Sequence, residues 1–225
     1  MYRNQQGNAL IYVLIVIGLF AALTFILSRQ RGSGETNTIS NESANVDATQ
    51  IIQVSNQVKQ AVDQMLYSGS KIDDLDFCLP GEACFSSAGI HSVFAPQGGG
   101  VSMPNIPTGA VKQVDANPVP GFYMGAFNNV EWTETNGTDV ILVAHQISQP
   151  VCEKIDEILT GNKPATIPPV GAALATVLID ASRHTAGANV DLDKTVCPLC
   201  DGHASLCVSD AGATMFSFYN VIEQR

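Results

Sequence analysis

The sequence predicts an α+β chain in which a long amino-terminal helix, transmembrane over its first half, packs on an antiparallel β-sheet domain with disulfide-stapled loops. Three observations predict it. Asn8–Leu27 is a run of 20 residues without a single charge. An apolar stripe at helical spacing follows from Val46 onward. Beyond Gly69 the texture turns to strands, turns and cysteines.

In chain order, residues 1–7 form a short polar leader whose one charged side chain is Arg3 and whose last residue is Gly7. Residues 8–27 read as the transmembrane helix. At about 1.5 Å per residue such a run spans roughly 30 Å, the thickness of the bilayer hydrocarbon. A buried core helix would show a polar stripe, and this run shows almost none. Residues 28–69 combine a polar stalk, with Gly32-Ser33-Gly34, and an amphipathic helix. Its stripe is Ile51, Val54, Val58, Val62 and Met65, broadened by Ile52, Ala61 and Leu66, and Gly69 is its stop signal.

Residues 70–225 read as an extracytoplasmic α+β domain. Val130–Thr133 leads through Asn136-Gly137 into Asp139–Ile147, a hairpin pattern, because Asn and Gly both tolerate positive φ. Pro150–Leu159 then reads as a short helix that begins near Gln149 and stops at Gly161. The apolar stretch Ala165–Ala181 is broken by Pro168, Pro169 and Gly171, so it reads as a buried helix or strand and not as a second membrane span. Alternation over Thr214–Ile222 predicts a closing strand.

The order of leader and apolar run is informative. A general secretory signal is cut at a small-residue site after its apolar segment. Here Ser28-Arg29-Gln30-Arg31 follows Leu27, so the apolar run stays with the mature chain and only the leader is available for removal. This arrangement resembles the class III signal of type IV prepilins, which a dedicated peptidase cuts after a glycine on the cytoplasmic side. The resemblance implies cleavage between Gly7 and Asn8 and methylation of the new amino terminus at Asn8. It departs from the family at Tyr12, where the family usually has a Glu that neutralises a neighbour's terminal ammonium. That departure points to a minor or divergent subunit. A strand followed by a helix with Cys152 in its first turn also resembles the carboxy-terminal domain of type IVb-like pilins. The function implied is a structural subunit, pilin or pseudopilin, of a type IV pilus-like or type II secretion-like filament. The partners implied are other pilin-like subunits, the prepilin peptidase and the inner membrane, with the carboxy-terminal domain in the periplasm and then outside the cell.

Charge agrees with an outward-facing domain. The chain has 21 acidic against 11 basic residues, a net charge of −10, and every acidic residue lies at or beyond Glu35. A nucleic-acid partner needs a basic footprint, and no run of Lys or Arg makes one. Arg3 on one side of the apolar run and Arg29 and Arg31 on the other favour the opposite orientation by charge alone. The cysteines decide for the exterior.

Those cysteines are Cys78, Cys84, Cys152, Cys197, Cys200 and Cys207, an even set consistent with disulfides formed outside the cytoplasm. Cys78 and Cys84 flank a Pro80-Gly81 turn and read as a local bridge. Cys152 is then left to pair with one of the last three, and the other two bridge locally. Cys197-Pro-Leu-Cys200 with His203 and Cys207 also has spacing that fits a redox pair or part of a zinc site. No β-α-β pattern surrounds it and no second Cys-x-x-Cys completes it. Catalytic motifs for acyl transfer, nucleotide binding or metalloprotease chemistry are absent from the sequence, so no enzyme activity, cofactor or metal is expected. Two other functions remain: an anchored periplasmic binding or adhesion module that never polymerises, and a membrane-tethered thiol oxidoreductase using Cys197 and Cys200.

Overall fold

Apolar alternation near the carboxy terminus organises the structure, a computed structural model that describes residues 12–21, 35–86, 89–179 and 190–224. The chain divides into two units, Met1–Ser43 and Ala44–Arg225.

In the first unit, residues 12–21 form helix α1. Its side chains are exposed throughout, including Tyr12, Leu14, Val16 and Phe20. The transmembrane helix expected over residues 8–27 is not supported: among the described residues, no helix is long and apolar enough to cross a membrane. Ten helical residues rise about 15 Å, half of the hydrocarbon core. The second helix, α2 (Glu35–Tyr67), is long enough at 33 residues but carries Glu42, Asp47, Lys59 and Asp63 along its course.

In the second unit four strands make one sheet: β1 (Gly121–Asn128), β2 (Asp139–Ile147), β3 (Ser205–Ser209) and β4 (Phe216–Glu223). Their spatial order is β1-β2-β4-β3, and every neighbouring pair is antiparallel. Two hairpins are therefore joined along β2 and β4. Side chains alternate between the faces of a strand, and both faces here are covered. On one face Phe122, Leu142, Phe216, Phe218 and Ile222 pack with Ile51, Val58 and Val62 of α2 and with Ile155 of helix α3 (Gln149–Thr160). On the other, Ile141, Val143, Tyr219 and Val208 pack with Leu174 and Val177 of helix α4 (Leu174–Leu178) and with Leu192. All nine residues of β2 are buried as a result.

The stripe read from the sequence is the face that α2 buries. Ile51, Val58 and Val62 are fully buried, and Ile52, Val54 and Leu66 pack against the same core at its margin. Two polar contacts set the helix's position along β4. Asn220 Nδ2 donates to Ser55 Oγ at 2.6 Å, and Lys59 Nζ donates to the Ile222 carbonyl at 2.6 Å. Helix α3 ends as expected: Gly161 adopts φ 75°, a left-handed cap that returns its N–H to the Glu157 carbonyl.

The predicted hairpin is only half right. Asp139–Ile147 is β2, but Val130–Thr133 lies in the loop before it and not in a strand. Val130 pairs instead with Leu192, and its N–H donates to Asp139 Oδ2 at 2.9 Å. Thr133 Oγ1 also reaches that carboxylate, at 3.1 Å, so Asp139 folds the segment into a turn. The true partner strand, β1, is interrupted by Gly125 and preceded by Pro118 and Pro120, which masks its pattern. Elsewhere the chain passes so close to itself that side chains have no room. A Cβ on Gly98 would sit 2.0 Å from the Ser92 carbonyl oxygen, and one on Gly99 2.5 Å from that of Val93.

The helix–sheet contact makes a direct prediction. Ile51→Ala lowers stability by about 2–5 kcal/mol in urea unfolding of the full chain, because it opens a cavity under β4. Val46→Ala, at a position 55% exposed on the same helix, changes it by less than about 0.5 kcal/mol.

Candidate functional site

The corner where α3 meets β3 holds most of the unusual chemistry. Pro150 at the start of α3 suits the first helical turn, where its missing N–H costs nothing. Val151, Cys152, Ile155 and Asp156 then face inward along one stripe. Cys152 is bridged to Cys207 of β3, with Cα atoms 5.5 Å apart. The bridge closes a loop of 55 residues, which in the chain-entropy description stabilises the fold by about 4 kcal/mol.

Asp156, one turn beyond Cys152, sits beside that bridge and is 1% exposed. Its Oδ1 accepts the Cys207 N–H at 2.7 Å, whereas Oδ2 has no hydrogen-bond partner. Burial pushes the carboxyl up from 3.8 to about 7, against the opposing pull of the Cys207 N–H. The Tyr219 hydroxyl lies near enough to feel the carboxylate: burial and then the charge of Asp156 raise it well above the ordinary tyrosine range. That hydroxyl donates to the His203 carbonyl at 2.8 Å, and Trp132 Nε1 donates to the same carbonyl at 2.9 Å. His203 is thereby fixed by its backbone while its ring stays exposed.

Between α3, the segment around Pro168 and the loop through Leu199 lies a pocket of about 230 Å³. Asp156 and Thr160 line it from α3, Leu199 and His203 from the loop, and Leu206 from β3.

Gly7 and Asn8, the expected cleavage and methylation sites, lie outside the described residues. The other predicted site residues are the cysteines. Cys78 is bridged to Cys84, Cys152 to Cys207 and Cys197 to Cys200, and none is free. Cys197 and Cys200 are both fully buried around the short turn Pro198–Cys200. Thiol exchange needs an accessible sulfur, so this burial opposes the oxidoreductase alternative. The zinc set imagined from Cys197, Cys200, His203 and Cys207 is divided, since Cys207 belongs to the bridge with Cys152. Cys78, Glu82 and Cys84 bring three ligand-type atoms within 4.8 Å of one another, but the two sulfurs are bonded to each other and offer no thiolate.

Sequence reading passed over Asp156 entirely. One signal was present: an acidic residue on the apolar stripe of α3, next to Ile155 and one turn after Cys152. A further perturbed group, His145 of β2, is a core histidine. Its Nδ1 is 2.8 Å from Ser217 Oγ, Nε2 has no partner, and Tyr123 packs edge-on against the ring. Burial pushes it down from 6.5 to about 4, although the charge of Asp115 pulls the other way.

No protein-family model, curated protein or solved structure matches this chain.

Asp156 and His145 pull stability in opposite directions with pH. The raised Asp156 binds its proton more tightly when folded, so its contribution is complete below pH 4 and is lost as pH rises through about 7. The lowered His145 is neutral when folded, so its contribution is complete above pH 6.5 and is lost as pH falls towards 4. Asp156→Asn removes the first effect and leaves the second. Its unfolding free energy, relative to the unaltered chain, is expected to fall by about 1 kcal/mol per pH unit as pH drops from 6.5 to 4.5. Parallel curves in pH-resolved urea titrations would contradict the assignment.

Proposed function

We propose that this chain is a pilin-like subunit of a type IV pilus-like or type II secretion-like filament, with a structural role and not a catalytic one. The observation that carries the proposal is the surface of α1. Tyr12, Val13, Leu14, Ile15, Val16, Ile17, Leu19 and Phe20 are each between 53% and 69% exposed. A contiguous apolar surface of that kind is a site of association, and each such side chain gains about 1.5–3 kcal/mol on burial. Equivalent helices of neighbouring subunits supply the cover.

Three further features support the reading. The leader resembles a prepilin signal, which gives Gly7 and Asn8 their roles as peptidase cleavage site and methylated terminus. The inward-facing stripe of α2 lies on a four-stranded antiparallel sheet, the plan that the resemblance implies for a pilin head. Three disulfides suit a head that matures in an oxidising compartment. In this reading the subunit is held at the inner membrane, its head in the periplasm, until it enters the filament. Tyr12 leaves the terminal ammonium of a neighbour without the family's acidic partner, which suits a minor position in a mixed filament.

Val16→Asp places a charge in the middle of the exposed apolar surface. The variant is expected to accumulate with a folded, disulfide-bonded head and to be missing from the high-mass fraction sheared from cells, in which the unaltered chain is expected. Equal recovery of both proteins in that fraction would sink the proposal.

A further inference from the structure

Independently of whether the chain polymerises, we propose that the pocket between α3 and the Leu199–Leu206 segment is a binding site for a short alkylammonium group, with Asp156 as its counter-ion. Buried polar atoms are normally hydrogen-bonded, yet Asp156 Oδ2 has no partner while Oδ1 is committed to the Cys207 N–H. The residue, though 1% exposed, forms part of the wall of a pocket. An unpaired carboxylate oxygen favours a donor, and a cationic donor gives the strongest bond.

The walls choose the rest of the ligand. Leu199, Leu206 and Pro168 are apolar, and Leu199 stays 58% exposed at the pocket's edge, ready to cover an aliphatic stem. Thr160 also lines the pocket, its hydroxyl donating to the Asp156 backbone carbonyl at 2.7 Å. The volume of about 230 Å³ lies below the roughly 300–1,000 Å³ of drug-sized sites, so the site suits a short chain. The net charge of −10 favours the approach of cations. The charged and titratable groups around Asp156 are Tyr219 from β4, His203 from the loop, and Glu153, Lys154 and Glu157 on its own helix. Lys154 is paired with Glu157 and Lys163 with Glu153, so neither cation is committed to Asp156. Asp156 must ionise to receive the ligand, so affinity falls about tenfold per pH unit below pH 7.

The ammonium has two possible sources, a free amine or the lysine side chain of another polypeptide. The test titrates n-butylammonium, Nα-acetyl-lysine methylamide and n-butanol into the full chain in detergent at pH 8. It follows the amide resonance of Cys207, whose N–H rests on Asp156. Both ammonium probes, or n-butylammonium alone, are expected to shift it saturably. Binding of both admits a lysine side chain, and binding of n-butylammonium alone assigns a free amine. In Asp156→Asn, which keeps an acceptor for the Cys207 N–H, affinity is expected to drop about 10- to 100-fold. Leu199→Ala, at an exposed position, is expected to weaken binding about 3- to 10-fold through the lost stem contact. No saturable shift with either ammonium, equal affinity for n-butanol, or unchanged affinity in either variant would overturn the proposal.

Discussion

The rest of the structure depends on a sheet that is buried from both sides. Because β2 and β4 are covered on each face, neither face can be left to water, and two separate sets of covering elements are required. Residues of α2 and α3 supply one and the α4 region the other. Strand register then becomes strict, since a slip by one residue would exchange every side chain between the two cores. Phe216, Phe218 and Ile222 belong to one side and Tyr219 and Val221 to the other. The Asn220–Ser55 and Lys59–Ile222 contacts extend that register to the helix, giving the apolar stripe of α2 one seat along β4.

The disulfides act where this plan is weakest. β3 is a short edge strand of five residues, and α3 is packed mainly against it. The bridge from Cys152 to Cys207 fastens the two together. Asp156 adds a hydrogen bond to the backbone of that same cysteine. The cost is a carboxyl held largely away from water at a pocket wall, and that burial raises its proton affinity. A residue that served packing alone would more simply be apolar, and the pocket beside it gives the carboxyl something to do. The bridge between Cys197 and Cys200 shapes the Leu199 edge of the same pocket.

Legibility in the sequence followed periodicity. The stripe from Ile51 to Met65, the strand Asp139–Ile147, the helix from Gln149 to its Gly161 cap and the final strand each carry a regular local pattern, and each stands where the pattern put it. What failed was non-local. Val130–Thr133 has strand composition, yet the Asp139 carboxylate and Leu192, both distant in pattern terms, fold it into a turn. β1 and β3 were missed because Gly121 and Gly125 dilute one and the other is only five residues long. The transmembrane expectation rested on apolar length, and among the described residues no helix is long and apolar enough to cross a membrane. Of the pocket lining, the sequence marks His203 as a possible ligand and Pro168 only as a break in an apolar stretch, because Asp156, Pro168 and Leu206 come from three segments that meet only in the fold.

The central claim, a processed subunit with an oxidised head, is tested most directly by the intact mass of the protein from its native source, before and after reduction. The account predicts a chain that lacks Met1–Gly7, carries one methyl group on Asn8, and gains six hydrogens on reduction of its three bridges. A chain that retains its leader would contradict it and leave a non-polymerising domain as the better description.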